Sequence, residues 1–157
     1  SECLVGSEMC IRDSYDYAFE EEKYRGAPDI RLHEIDVARP LEIAGERIVP
    51  VSGHHSERFE VTGYRIGRMA YLTDFKTIAD AEVGKLIGVE LLVVNALRFR
   101  PHPSHFNVGE ALALIARVAP RRALITHVSH EIGRHAATTA LLPRGVELAY
   151  DGLEIII

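Results

Sequence analysis

The stretch Glu90–His130, ELLVVNALRFRPHPSHFNVGEALALIARVAPRRALITHVSH, decides how the rest of the chain is read. Its middle reads as a helix. Asn107 stands where a cap belongs and Glu110 follows three residues later, the spacing of a capping box. Ala111, Leu112, Leu114, Ile115 and Val118 then recur at helical intervals until Pro120. The flanking runs ELLVVNAL and RALITHVS are short and apolar, as in strands buried on both faces. Strand, helix, strand is the unit of a sheet covered by helices.

Outward from this unit, RLHEIDV, LEIAGERIVPV and FEVTGYRIG alternate or carry β-branched residues, with breaks at Pro40, Gly45 and Gly53. They read as consecutive strands with Ala44-Gly45 as a hairpin turn. RMAYLTD, residues 68–74, is a further strand with a polar tip, and a helix is expected from about Asp80, capped by that aspartate and continuing through EVGKLIG. Downstream, HEIGRHAATTALL reads as a helix, and VELAYDGLEIII as one or two strands around the turn dipeptide Asp151-Gly152. The order predicts a mixed α/β (α+β) domain with no internal repeat.

The chain has 157 residues, 47% hydrophobic and 26% charged, which suits one packed domain. No apolar run approaches the ~20 residues of a membrane span, and no basic start precedes an apolar stretch, so a soluble cytoplasmic protein is expected. A formal charge of -5 lacks the basic footprint that holds nucleic acid, which makes a large nucleic-acid partner unexpected.

The segment Leu4–Ser14, LVGSEMCIRDS, reads as the translation of a sequencing-library adapter, so residues 1–14 are expected not to be native. The natural part, 15–157, is then the C-terminal part of a longer domain. Cys3 and Cys10 fall in or beside the adapter and carry no disulfide or thiolate argument. Glu2, Glu8 and Asp13 against Arg12 remove two negative charges from the formal -5, leaving -3. YDYAFEEEKYRGAP, residues 15–28, reads as a loop or short helical piece without a site.

Eight histidines are the chemically informative residues. His54 and His55 follow the strand through Val51, Asp74 ends AYLTD and His127 ends ALITH. A rigid strand aims an imidazole nitrogen or carboxylate oxygen at a fixed point, as a metal site needs. Each alone could equally be a satisfied polar strand terminus; three together favour a site. His102 and His105, in HPSHF, precede the Asn107 helix, where an imidazole can act as general acid or merely cap the helix. His130 reads as a supporting partner or a helix-face residue, His135 as a helix-face residue and His33 as a surface residue.

The order VPVSGHH, GYRIG, AYLTD, LVVNALR, HPSHFN with EAL, LITHVSH and LAYDGLEI resembles the C-terminal half of metallo-β-lactamase-fold hydrolases. The branch is that of phosphoribosyl cyclic phosphate phosphodiesterase and, more distantly, ribonuclease Z. The resemblance covers nearly all of Tyr15–Ile157 and implies an αββα sandwich truncated at its N-terminus. It also implies two divalent metal ions, zinc or manganese, with His55, Asp74 and His127 as ligands, Asp74 bridging the two. His105 would lie beside the scissile phosphate. The implied reaction is hydrolysis of a small phosphodiester by a hydroxide held between the ions. Alternatives are a ribonuclease Z-like tRNA 3′-processing nuclease and a non-catalytic binding domain of the same fold.

Two departures matter. Between Pro50 and Gly63 the chain carries one residue more than the family pattern, so counting from the left gives His55 and from the right Ser56, with His54 as the fallback ligand. No HxHxDH, the family's upstream ligand motif, occurs in the 157 residues. The expectation for this piece alone is therefore an exposed apolar sheet face, one weakly held metal at most, and negligible hydrolysis.

Overall fold

In the computed structural model the described residues are 11–156 other than 13, 21–23 and 29. Cys3, Cys10 and most of the Leu4–Ser14 adapter reading lie outside them. Two compact units are distinguished, residues 1–35 and 36–157. In the first, the described part of 15–28 holds a 3-10 turn at Asp16–Ala18. RLHEIDV forms no strand, contrary to expectation, and His33 within it is exposed. Pro40 follows it closely, and among the described residues the segment pairs with no strand.

The second unit is built on one seven-stranded sheet among the described residues, in the order β1-β2-β3-β4-β5-β6-β7. These are β1 Leu41–Ile43, β2 Glu46–Ser56, β3 Phe59–Ile66, β4 Met69–Leu72, β5 Leu91–Asn95, β6 Arg122–Thr126 and β7 Val146–Leu148. β1 through β4 pair antiparallel as a meander, and β4 through β7 pair parallel. The β1–β2 hairpin turns on Ala44 and Gly45, both at positive φ, as the dipeptide suggested. The mixed α/β expectation holds.

Parallel neighbours need crossovers, which here carry helices α1 Asp80–Gly84, α2 Val108–Val118 and α3 His135–Thr139. α2 starts as its sequence predicts. The Glu110 N–H donates to Asn107 Oδ1 at 2.9 Å, and the Asn107 N–H donates to Glu110 Oε2 at 2.8 Å. Such a box stabilises a helix start by about 1 kcal/mol. α2 buries Val108, Ala111, Leu114, Ile115 and Val118 and ends at Ala119, in the left-handed region just before Pro120.

Two other helix expectations need correction. Asp80 is the first residue of α1, whose N-cap is Ala79 without a side-chain cap bond. The run 130–142 is broken into a 3-10 turn, His130–Ile132, and α3, because Gly133 takes φ 96 between them. After Asp151-Gly152 no further strand forms among the described residues.

The main core joins Leu92, Val94 and Ile125 to Leu72, Phe75, Leu86 and the apolar face of α2. On the opposite face of the sheet, Leu91, Val93 and Leu124 are buried against Met69, Ala149, Leu153 and Ile155. The expected bare apolar face is thus partly covered by the chain's own last residues. Tyr71 on β4 stays 42% exposed.

The parallel pairs are in register at their ends, Leu72 with Val94, Val94 with Ile125 and Asn95 with Thr126. The residues that leave β4, β5 and β6 therefore meet on one rim, where open parallel sheets place their sites.

Candidate metal centre

Asp74 leaves β4 at φ 64 and His127 leaves β6 at φ 56, both in the left-handed region that a non-glycine residue enters at a cost of about 1–3 kcal/mol. What holds Asp74 there is its neighbour. Phe75 is fully buried, and its backbone is clasped by the Asn95 side chain. The Phe75 N–H donates to Asn95 Oδ1 at 2.8 Å, and Asn95 Nδ2 donates to the Phe75 carbonyl at 2.9 Å. The Phe75 ring lies over Gly53 and Gly63, where any Cβ would run into it or into Leu72. Such a Cβ would also come within 2.8 Å of the Thr77 carbonyl at Gly53 and of the Tyr71 carbonyl at Gly63. Lys76 ties the same turn to α2 through a 2.7 Å ion pair with Glu110.

His55 reaches the rim through an irregularity in β2. His54 pairs with Glu60 and Ser56 with Phe59, leaving His55 in the bulge between them, where the extra residue noted in sequence is absorbed. Its Nδ1 lies 2.9 Å from the Asp74 carbonyl. A carbonyl only accepts, so Nδ1 carries the proton and Nε2 keeps its lone pair, the usual arrangement of a metal-binding histidine. His54 is exposed, is bonded to Thr77 through its backbone, and lines a separate cleft with Ser56, Glu57, Lys76, Thr77 and Pro103. The fold brings His55, and not His54, to the cluster.

His127 Nε2 and His105 Nε2 each stand 3.2 Å from Asp74 Oδ1 and 3.1 Å from one another. The His55 ring centroid is 4.5 Å from that of His105. Ligand atoms of His55, Asp74 and His105 lie within 4.8 Å of one another. Imidazoles with one carboxylate form a donor set that zinc accepts, and that manganese or iron accept with more oxygen. The residues present fit a divalent cation, and His105 stands as near the convergence point as the three sequence-predicted ligands.

Burial pushes the His105 imidazole below its ordinary range, with His55 and His127 adding to the push and Asp74 opposing it. Burial, then Arg98, lowers His102 as well. Glu131, bonded to Arg100 and Arg98 at 2.8 and 2.9 Å, is held below the usual carboxylate range chiefly by Arg100. This trio fastens the segment after β5 to the turn after β6.

The remaining histidines lie elsewhere. His130 is exposed, and His135 sits 2.9 Å from the Leu148 carbonyl with its ring against Tyr150. Asn95 escaped the sequence reading because it was absorbed into an apolar run; a single amide inside ELLVVNAL was the available signal, and the structure buries it completely with both amide atoms bonded to Phe75.

Comparison with known proteins agrees with this geometry. A sequence profile of the Beta-lactamase superfamily domain matches residues 6–128. A crystal structure of a diphosphatase of the PhnP family superposes with a TM-score of 0.82 at 33% identity, covering 93% of this chain and 53% of that one. The short form of human tRNase Z shares the fold at 17% identity and a TM-score of 0.55, covering 72% of this chain and 44% of that one. An octanoyltransferase of Porphyromonas gingivalis is 36% identical over 148 residues, 94% of this chain and 30% of that protein. The chain thus spans about half the length of the diphosphatase and less than a third of the transferase. No helix among the described residues is long and apolar enough to cross a membrane. From the profile match and the superposition, the chain belongs to the Beta-lactamase superfamily and has the metallo-β-lactamase fold.

Proposed function

We propose that this chain is the C-terminal part of a metal-dependent phosphodiesterase acting on a small phosphodiester, with His55, Asp74 and His127 as its share of a two-metal site. The observation that carries the reading is the convergence of Asp74 Oδ1 with two imidazole nitrogens at 3.2 Å on the rim of a sheet of this fold. The 33% identity to a PhnP-family diphosphatase supports phosphorus over carbon as the reacting centre. Bound divalent ions supply a lowered water pKa and polarise phosphoryl oxygens.

The chain's own residues do the rest. Asp74 presents one oxygen to the cluster while Thr73 Oγ1 donates to the other at 3.2 Å, which fixes the carboxylate plane. The Asp74 carbonyl orients His55. His105, largely buried between Asp74 and His127, is the group beside the leaving oxygen. The formal charge of -5 favours a small substrate over a large RNA.

A second reading, hydrolysis of an acyl bond, is favoured by the name of the 36% identical transferase, although this chain corresponds to 30% of that protein. The test begins with the gene upstream of the Tyr15 codon. The full-length product, loaded with zinc or manganese, is expected to carry an HxHxDH motif and to hydrolyse bis-p-nitrophenyl phosphate far faster than p-nitrophenyl octanoate. The Asp74→Asn variant is expected to lose at least about a thousandfold of that rate. The reverse preference would favour the acyl reading; a frame without the motif and without turnover would leave a binding domain.

A further inference from the structure

The HPSHF turn contains more than one histidine with a role. His105 Nδ1, the nitrogen facing away from Asp74, lies 3.2 Å from His102 Nδ1 and 3.2 Å from Ser104 Oγ. His102 Nδ1 in turn receives the Ser104 backbone N–H at 3.3 Å, with Ser104 Oγ also at 3.3 Å. A backbone amide only donates, so His102 Nδ1 is an acceptor. If His105 Nδ1 were also bare, two nitrogen lone pairs would face each other at 3.2 Å. A proton on His105 Nδ1, shared with His102 Nδ1 or Ser104 Oγ, removes the conflict and satisfies every group in the turn. His105 Nε2 is then bare, 3.2 Å from Asp74 Oδ1 and 3.1 Å from His127 Nε2, the nitrogen through which His127 itself reaches Asp74.

We infer that His102, together with the Ser104 amide, is a positioning residue that locks His105 in its Nδ1–H tautomer, so that the Nε2 lone pair faces the Asp74–His127 cluster. In its resting neutral form His105 is therefore a cation ligand or proton acceptor at Nε2, and it can give a proton to a leaving oxygen only after first taking one up there. His102 touches neither Asp74 nor the other proposed ligands through any bond described above; it acts through His105. This builds on the metal-site reading proposed above but is tested separately from it.

The test is a long-range 1H–15N correlation spectrum of the histidine rings in the 15N-labelled chain, at a pH where the rings are neutral. Wild type is expected to show His105 with Nδ1 protonated and His102 with Nε2 protonated. His102→Ala is expected to shift His105 to a tautomeric mixture, and His102→Gln, whose amide oxygen can accept, to restore the single form. Zinc affinity by calorimetry on the same samples is expected to fall about tenfold in His102→Ala and to recover in His102→Gln. Backbone amide spectra unchanged outside residues 100–107 would separate this from misfolding. Finding His105 protonated at Nε2 in wild type, or unchanged tautomer and zinc affinity in His102→Ala, overturns the inference. If the tautomers are as stated and the full-length protein hydrolyses no phosphodiester, the positioning role stands and the functional reading falls.

Discussion

The two ends of strands β4, β5 and β6 are made from the same three pieces of chain and solve opposite problems. At their N-terminal ends, charges meet opposite charges. Arg68 pairs with Glu90 at 2.8 Å and Arg122 with Glu147 of the neighbouring β7 at 2.7 Å, all half-exposed, on ordinary backbone. At their C-terminal ends, one carboxylate meets two imidazoles. Asp74 Oδ1, His105 Nε2 and His127 Nε2 crowd within 3.1–3.2 Å, and two of these residues sit on left-handed backbone. On one rim two ion pairs balance their own charges. The other gathers a carboxylate oxygen and two imidazole nitrogens at one point on strained backbone, a donor set that a cation would satisfy.

The contrast can be broken most sharply at Asn95. Asn95→Leu keeps the volume but leaves the Phe75 N–H buried without an acceptor. A loss on the order of 3 kcal/mol is expected in urea unfolding, with zinc affinity down at least about tenfold because the Asp74 turn is released. Unchanged stability would mean that the turn is held by packing alone. Gly53→Ala comes next. Its Cβ must displace the Phe75 ring or the Thr77 carbonyl, and about 1–3 kcal/mol is expected to be lost in the same assay. On the opposite rim a double-mutant cycle of Arg122→Met and Glu147→Gln is expected to give a coupling below about 1 kcal/mol, with no change in metal binding. A larger coupling, or a metal effect, would show that the two rims are linked through the strands.

Much of this was legible beforehand, and the reasons are local. α2 could be read residue by residue because its cap, its periodicity and its stop are encoded within a dozen neighbours. Asp74 and His127 stood out because polar residues ended apolar strands. RLHEIDV failed as a strand because alternation describes a face, and no pairing partner is encoded in those seven residues. The run after His130 failed as one helix because Gly133, at φ 96, breaks it between the 3-10 turn and α3. The choice between His54 and His55 was not decidable from spacing, since a bulge changes the count on one strand alone. Asn95 matters through contacts to Phe75 that form only after the sheet has aligned β4 beside β5, whereas the His102, Ser104 and His105 bonds are local but belong to a turn with no periodicity to read.

The bulge at His55 makes strand length a determinant of the cluster. Two histidines stand side by side at a place where strand pleating sends neighbours to opposite faces, and the looped-out residue decides which one looks inward. Loss of a single residue between Ser52 and Ser56 would remove the bulge, and strand pleating would then decide which residue takes the inward post. The contact of His55 with the Asp74 carbonyl thus depends on the length of this strand as much as on the identity of the residue.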